Sequence, residues 1–294
     1  MGQTLHINGT GIFVDERGPS GGEPLLFIHG GPGNPSWDFM ESVGDLFAGR
    51  GVRVIGVDQR GVGRSDALPE EPALSVPVLI EDFEQLREAL GIGAWSLIGH
   101  SSGGAYALDY ALAHPGAVTR LVLDCPALDT DATDRHRLPR AAAMLDAAGM
   151  PEEAARCREI AARGDRLTAE DRSWEAMTPL GAQYLDLFFA DADGRRRYEE
   201  IADAAPDELD WSKSWSHRVL LADMYVDRLP RLADLTMPSM LVHGEADLVA
   251  APAIVADYRA ATRGSVATIA EAGHFAFVER PSAYVDAVLG FLRG

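Results

Sequence analysis

The segment Gly99-His100-Ser101-Ser102-Gly103 constrains this chain more than any other. It lies between a short apolar run, Trp95-Ser96-Leu97-Ile98, and a small-residue helical pattern running from Ala105 to Ala113. Strand, Gly-x-Ser-x-Gly and helix in that order make a sharp turn that presents a nucleophilic serine. The outer glycines are needed because a side chain at either would collide with the strand and helix that close on the turn. Only Ser101 fits the frame, since Ser102 would need glycine at position 100. Five residues alone are a weak signal. The surroundings have to carry the rest.

Those surroundings read as strands alternating with helices. Leu5-His6-Ile7 and Ile12-Phe13-Val14 flank Asn8-Gly9, a β-hairpin signal. Short apolar runs follow at Leu25–Ile28, Val52–Val57, Trp95–Ile98, Val118–Leu123, Met240–His243 and Val266–Ala270. Helical patterns at Pro77–Leu90, Ser102–Ala113, Pro252–Ala261 and Pro281–Leu292 separate most of them. The expected fold class is α/β, with a mostly parallel sheet flanked by helices on both faces. Between about residues 126 and 235 the alternation stops. Leu180, Tyr184, Leu187 and Phe188 recur at helical spacing there, and prolines at 139, 151, 179, 206 and 230 punctuate the stretch. We expect a core built from 1–125 and 236–294 and an inserted helical cap, 126–235, over the C-terminal strand ends, where ligands of such sheets bind. An independent helical packing module is the alternative reading.

Composition narrows the class. The chain has 294 residues, 47% of them hydrophobic, enough for a large core. A net charge of −19 repels phosphate backbones, so nucleic acid is not expected as a partner. The abundance of Ala, Arg, Asp and Gly is also what GC-rich coding produces, so the charge says little about substrate. No run approaches a membrane span, and the opening Met1-Gly2-Gln3-Thr4-Leu5-His6 does not read as a signal peptide. The two cysteines, Cys125 and Cys157, give no disulfide framework or zinc spacing. The expectation is a cytoplasmic protein without membrane, metal or cofactor, acting on a small-molecule or short-peptide substrate. Its oligomeric state is not legible.

A serine hydroxyl needs a base, and the base an orienting acid. Leu241-Val242-His243-Gly244-Glu245-Ala246-Asp247 ends one strand with an aspartate past its edge, and Ala272-Gly273-His274-Phe275 follows the next. The order Ser101, Asp247, His274 is that of a catalytic triad on a parallel sheet. Asp124, at the end of Val118–Leu123, is a rival acid. His29, His100 and His243 read as hydrogen-bonded packing residues, and His114 as a helix end.

With these residues the chain resembles the α/β-hydrolases. His29-Gly30-Gly31-Pro32-Gly33 and the Asp58–Ser65 loop resemble those of the prolyl iminopeptidase branch, peptidase family S33. The first is where an oxyanion loop is expected, with the N–H groups of Gly31 and Ser102 as donors. The second carries Gly61-x-Gly63 but no third glycine, so it is not a dinucleotide site, and Asp58 and Arg60 are expected to brace the sheet edge. The resemblance implies a serine hydrolase working through an acyl-enzyme, with proline iminopeptidase-like aminopeptidase activity. Three features differ from that branch. The elbow is Gly-His-Ser-Ser-Gly rather than Gly-Gly-Ser-Trp-Gly, Leu248 follows the aspartate where the branch has glutamate, and no Glu-x-x-Tyr-Phe segment occurs. Glu175 and Asp223 are the candidates for an ammonium partner. An esterase, lactonase or C–C bond hydrolase of a small apolar substrate therefore stands beside the aminopeptidase. A non-catalytic receptor, or a transferase with another acyl acceptor, are further alternatives. Trp174, Trp211 and Trp215 line either a pocket or the cap's own core.

Overall fold

Asn8 and Gly9 both take positive φ, 47° and 79°, the twist that a two-residue hairpin needs. They join β1 (Gly2–Ile7) to β2 (Thr10–Arg17) in antiparallel register. The computed structural model describes residues 2–68 and 74–294; Met1 and residues 69–73, which fall in the expected first core segment, lie outside the described residues. Six further strands follow: β3 (Glu23–Ile28), β4 (Val52–Asp58), β5 (Trp95–His100), β6 (Val118–Asp124), β7 (Ser239–Gly244) and β8 (Ser265–Ile269). Every apolar run in the sequence became a strand.

The sheet order is β1-β2-β4-β3-β5-β6-β7-β8, and all pairs from β4 onward are parallel. After β3 the chain winds outward to β4, then crosses back to β5 on the other side of β3. The loops after β3 and β5 therefore separate at adjacent strand ends. A crevice opens at such a reversal. Apolar side chains cover both faces. Leu26, Ile28 and Leu97 join Tyr106 and Ile254 on one, and Phe27, Phe39, Phe277 and Val288 pack on the other.

Between β6 and β7 the described chain forms helices and 3₁₀ turns, with helices at Thr130–Ala147, Pro151–Ala161 and Ala192–Asp203. This segment has its own apolar cluster, including Leu138, Leu145, Cys157, Ile160 and Met177. Three of its prolines, Pro151, Pro179 and Pro230, start helical turns, where a missing N–H costs nothing. Pro139 does not punctuate. It sits inside Thr130–Ala147. An interior proline costs about 3 kcal/mol. Burial of Leu138, Ala141, Ala142 and Leu145 outweighs that cost. Leu180 and Leu187 are buried as their spacing implies, but the turn between them breaks at Gly181, where φ is 56°.

Candidate active site

Ser101 sits between β5 and the helix Ser102–Ala113 with φ 57° and ψ −124°. A non-glycine residue holds such a conformation only where its surroundings impose it. They do so through hydrogen bonds and close packing. The Ser101 amide donates to the Asp124 carbonyl at 2.9 Å, and the Ser101 carbonyl accepts from Gly104 and Ala127 at 3.0 Å each. A Cβ on Gly103 would lie 2.2 Å from the Ile28 carbonyl oxygen, and one on Gly99 would lie 2.4 Å from that of Gly103. Both motif glycines are thus sterically obligatory.

The loop after β3 presses on the same turn. A Cβ on Gly30 would come 2.6 Å from the His100 carbonyl oxygen and 2.7 Å from the Ser101 Cβ. Gly31, at φ 118°, lines the cavities around Ser101. Beneath it, the Asp58 carboxylate accepts from the Ser36 amide and hydroxyl at 2.8 Å each, and from Arg64. Arg60 makes a buried ion pair with Asp82. Asp58 and Arg60 do brace the sheet edge.

His274 Nδ1 lies 3.0 Å from Asp247 Oδ1, and both residues are buried. Asp247 also accepts the amides of Val249 at 2.9 Å and Ala250 at 3.0 Å. Burial pushes its carboxyl up, but His274 and those two amides outweigh burial and hold it at about 2. For His274, burial lowers the pKa and Asp247 offsets only part of that. The imidazole is therefore neutral at neutral pH, with Nδ1 engaged and Nε2 left for a proton transfer. His274 is fixed from the far side as well, its amide donating to the Phe188 carbonyl at 2.7 Å. The rival acid has another partner. Asp124 Oδ2 is 2.9 Å from His100 Nδ1, the two residues being register partners on β6 and β5.

The other histidines pack as expected. His29 Nε2 accepts from the Gln59 amide, His243 Nδ1 meets the Gly244 carbonyl, and His114 ends its helix. Sequence spacing offered no metal set, but the fold brings the Cys125 Sγ, an Asp247 oxygen and a His274 nitrogen within 4.8 Å of one another. Burial pushes the Cys125 thiol well above its ordinary value. A protonated thiol beside an already hydrogen-bonded carboxylate makes a poor ligand set.

Three cavities share Gly31 and Tyr184, and two of them also hold Ser101. One, of about 230 Å³, is lined by Ser101, His100, His274, Phe188 and Tyr198. A second, of about 170 Å³, runs from Ser101 past Thr130 and Thr133 to Arg137 and Trp174. A third, of about 360 Å³, opens outward past Trp174, Trp215 and Arg218. Of the three tryptophans, Trp174 lines two cavities and also packs on the helical cluster, Trp215 lines the outer one, and Trp211 is exposed. Glu175 pairs with Arg172 and Asp223 with Arg228, and neither lines these cavities. Leu248 packs on the helical cluster. Arg137 went unread in the sequence, and Tyr184 was read there only as part of a helical spacing. The spacing of Thr130, Thr133 and Arg137 at i, i+3 and i+7 was the available signal for a polar helix face.

A profile of the α/β hydrolase fold matches residues 23–281. The chain belongs to the α/β-hydrolase fold family. Within it, the chain is 38% identical to the proline iminopeptidase of Neisseria gonorrhoeae over 112 residues, 38% of this chain and 35% of that protein. The match thus spans about a third of the length of the curated relative. The proline iminopeptidase-related protein of Thermus thermophilus superposes over 100% of this chain and 97% of its own, with a TM-score of 0.81 and 25% identity. The meta-cleavage product hydrolase of Pseudomonas fluorescens covers 100% and 98%, with a TM-score of 0.70 and 19% identity. That last likeness is one of fold. Among the described residues no helix of this hydrolase-fold chain is long and apolar enough to cross a membrane.

Proposed function

We propose that this chain is a serine hydrolase in which Ser101 is the nucleophile, His274 the base and Asp247 the orienting acid. The observation that carries this reading is a cavity shared by a strained Ser101 and a buried His274 whose Nδ1 is held by Asp247. Ser101 Oγ bonds to a carbonyl carbon as its proton passes to His274 Nε2. The oxyanion is met by the N–H groups of Gly31 and Ser102, a contribution of about 3 kcal/mol. The tetrahedral adduct collapses, the leaving group takes the proton from His274, and the acyl group stays on Ser101. Water then gives its proton to His274, attacks the ester and frees the acid, and the proton returns to Ser101.

In this reading the helical segment 126–235 is a cap that walls the cavities from above, and the two buried free cysteines fit a reducing, cytoplasmic setting. The relatives favour an aminopeptidase that removes N-terminal proline. One observation favours the ester reading. No Asp or Glu lines any of the three cavities among the described residues, so a substrate ammonium would have no carboxylate partner there.

A fluorophosphonate probe with adduct mapping, run beside a proline arylamide and a short aryl ester, tests both levels. Labelling at Ser101 with ester cleavage is the expected result. Arylamide cleavage would restore the aminopeptidase, and an unlabelled Ser101 would refute the triad.

A further inference from the structure

The chain has 45 acidic residues and 26 lysines and arginines, yet the charged side chains lining the cavities are Arg137, in a cavity that holds Ser101, and Arg218, in the outer cavity that adjoins it at Gly31. A surface that is acidic overall but cationic where the substrate enters is a statement about the substrate. Arg137 stands on the helix Thr130–Ala147 in the 170 Å³ cavity that also holds Ser101. Its Nε and Nη2 both donate to Asp134 Oδ1, at 3.0 and 2.8 Å, while Asp134 Oδ2 accepts from the Tyr225 hydroxyl at 2.7 Å. That pairing fixes the guanidinium plane and leaves Nη1 without a protein acceptor among the described residues. Tyr184 lines the same cavity, and its hydroxyl has no hydrogen-bond partner there either. Arg218 stands at the outer mouth, stacked over Trp215 at 3.8 Å and near Trp174 at 5.0 Å, with no carboxylate partner among the described residues. Asp134 balances the charge of Arg137, whose Nη1 remains as a donor into the cavity, and the unbalanced charge is that of Arg218 at the mouth. A single anion would balance it.

The cavities also divide the substrate. His274 must hand a proton to the leaving group, and His274 lines the 230 Å³ cavity but not the one that holds Arg137. The leaving group therefore belongs beside His274 and the acyl chain beside Arg137. We propose that the substrate is an ester whose acyl part ends in a carboxylate, a monoester of a short dicarboxylic acid. Arg137 Nη1 binds that distal carboxylate, with the Tyr184 hydroxyl as a second donor. Guanidinium recognises carboxylate by a planar pair of hydrogen bonds, so Arg137 selects for charge and for chain length together. The inference rests on Ser101 being the nucleophile only in so far as the acyl side is assigned by it; the anion site itself does not.

Acid release from monoethyl glutarate and from diethyl glutarate tests the proposal with the full chain. The wild type is expected to favour the monoester in kcat/KM. Arg137→Gln should lower the monoester-to-diester ratio about 10- to 100-fold, the range for losing one charged hydrogen bond in a desolvated pocket. Because Arg137→Gln also strands Asp134, the double variant Asp134→Asn with Arg137→Gln removes both charges and should show the same fall. Arg137→Lys should retain part of the ratio. A wild type that favours the diester, or a ratio unmoved in both Arg137→Gln proteins, would overturn the proposal. Calorimetric binding of glutarate to Ser101→Ala protein separates this from the triad reading. Binding that weakens about tenfold or more on adding Arg137→Gln supports the anion site even if Ser101 takes no fluorophosphonate. No glutarate binding, or binding unaffected by that change, refutes the site and leaves the triad standing.

Discussion

The two walls of the cavity at Ser101 are built by different rules. One wall is the C-terminal edge of the sheet, where Gly30, Gly31, Ser101, Asp247 and His274 stand at or just beyond strand ends. Its geometry is backbone geometry. Glycines that no other residue can replace and amide hydrogen bonds to Asp247 set it tightly. The other wall is the segment between β6 and β7, where Arg137, Trp174, Tyr184 and Arg218 project from helices and 3₁₀ turns. There position depends on side-chain packing and on pairs such as Arg137 with Asp134. In the proposed reading the strand-end wall carries the chemistry, and the helical wall carries preference, which can be changed by degrees.

That contrast is open to attack, and the largest expected effects lie on the strand-end wall. Ser101→Ala should abolish turnover by at least about 10⁴-fold while leaving the circular dichroism spectrum unchanged. Asp247→Asn should cost on the order of 10⁴ in kcat, whereas Asp124→Asn should cost less than about tenfold, because Asp124 serves His100 and not His274. Equal losses at the two aspartates in a kinetic comparison would dissolve the assignment of the acid. Gly103→Ala drives a methyl group into the Ile28 carbonyl, so soluble yield and thermal midpoint should both drop sharply.

The pH profile gives a medium-sized test. His274 must be neutral to accept a proton, and burial sets its pKa below the ordinary 6.5. Activity should therefore hold at pH 6.5 and fall only at more acidic values, lower than an exposed histidine would give. An acid limb centred above 6.5 would contradict the burial. Stability should follow the same direction for another reason. Burial holds His29 at about 3, so the neutral ring is favoured in the folded protein. The stabilisation is complete above about pH 6.5 and is lost as pH falls from there toward 3, and the thermal midpoint should decline across that window. The smallest effect belongs to the outer mouth. Arg218→Gln should raise KM for an anionic ester about two- to threefold in low salt and leave it nearly unchanged in high salt, since exposed charges are screened.

The contrast between the walls also marks what could be read without a structure. Strand positions followed from apolar runs, and the hairpin from Asn8-Gly9, because hydrogen-bonded strands and tight turns impose local rules on residue choice. The elbow was legible because its glycines recur in a fixed frame around Ser101, although only the demand on Gly99 is local and that on Gly103 comes from the end of β3. Asp247 over Asp124 was a reading from motif context. What separates them physically is lateral, since Asp124 is paired across the sheet with His100 while the loop after β7 brings Asp247 to His274. Pro139 inside a helix, and the break at Gly181, were not legible, because burial on a neighbouring helix outweighs the local preference.

The sequence by itself determined the α/β-hydrolase architecture, the order of the strands along the chain and the residues proposed for the reaction. These depend on backbone conformation, which short stretches of sequence largely dictate. Tertiary structure alone decided that the rival Asp124 meets His100, and that Arg137 rather than any acid shares a cavity with Ser101. Arg137 is 36 residues from Ser101 and Arg218 is 117. Only packing of the helical segment against the sheet edge brings such distant side chains to adjoining cavities around Gly31, and no local rule encodes that contact.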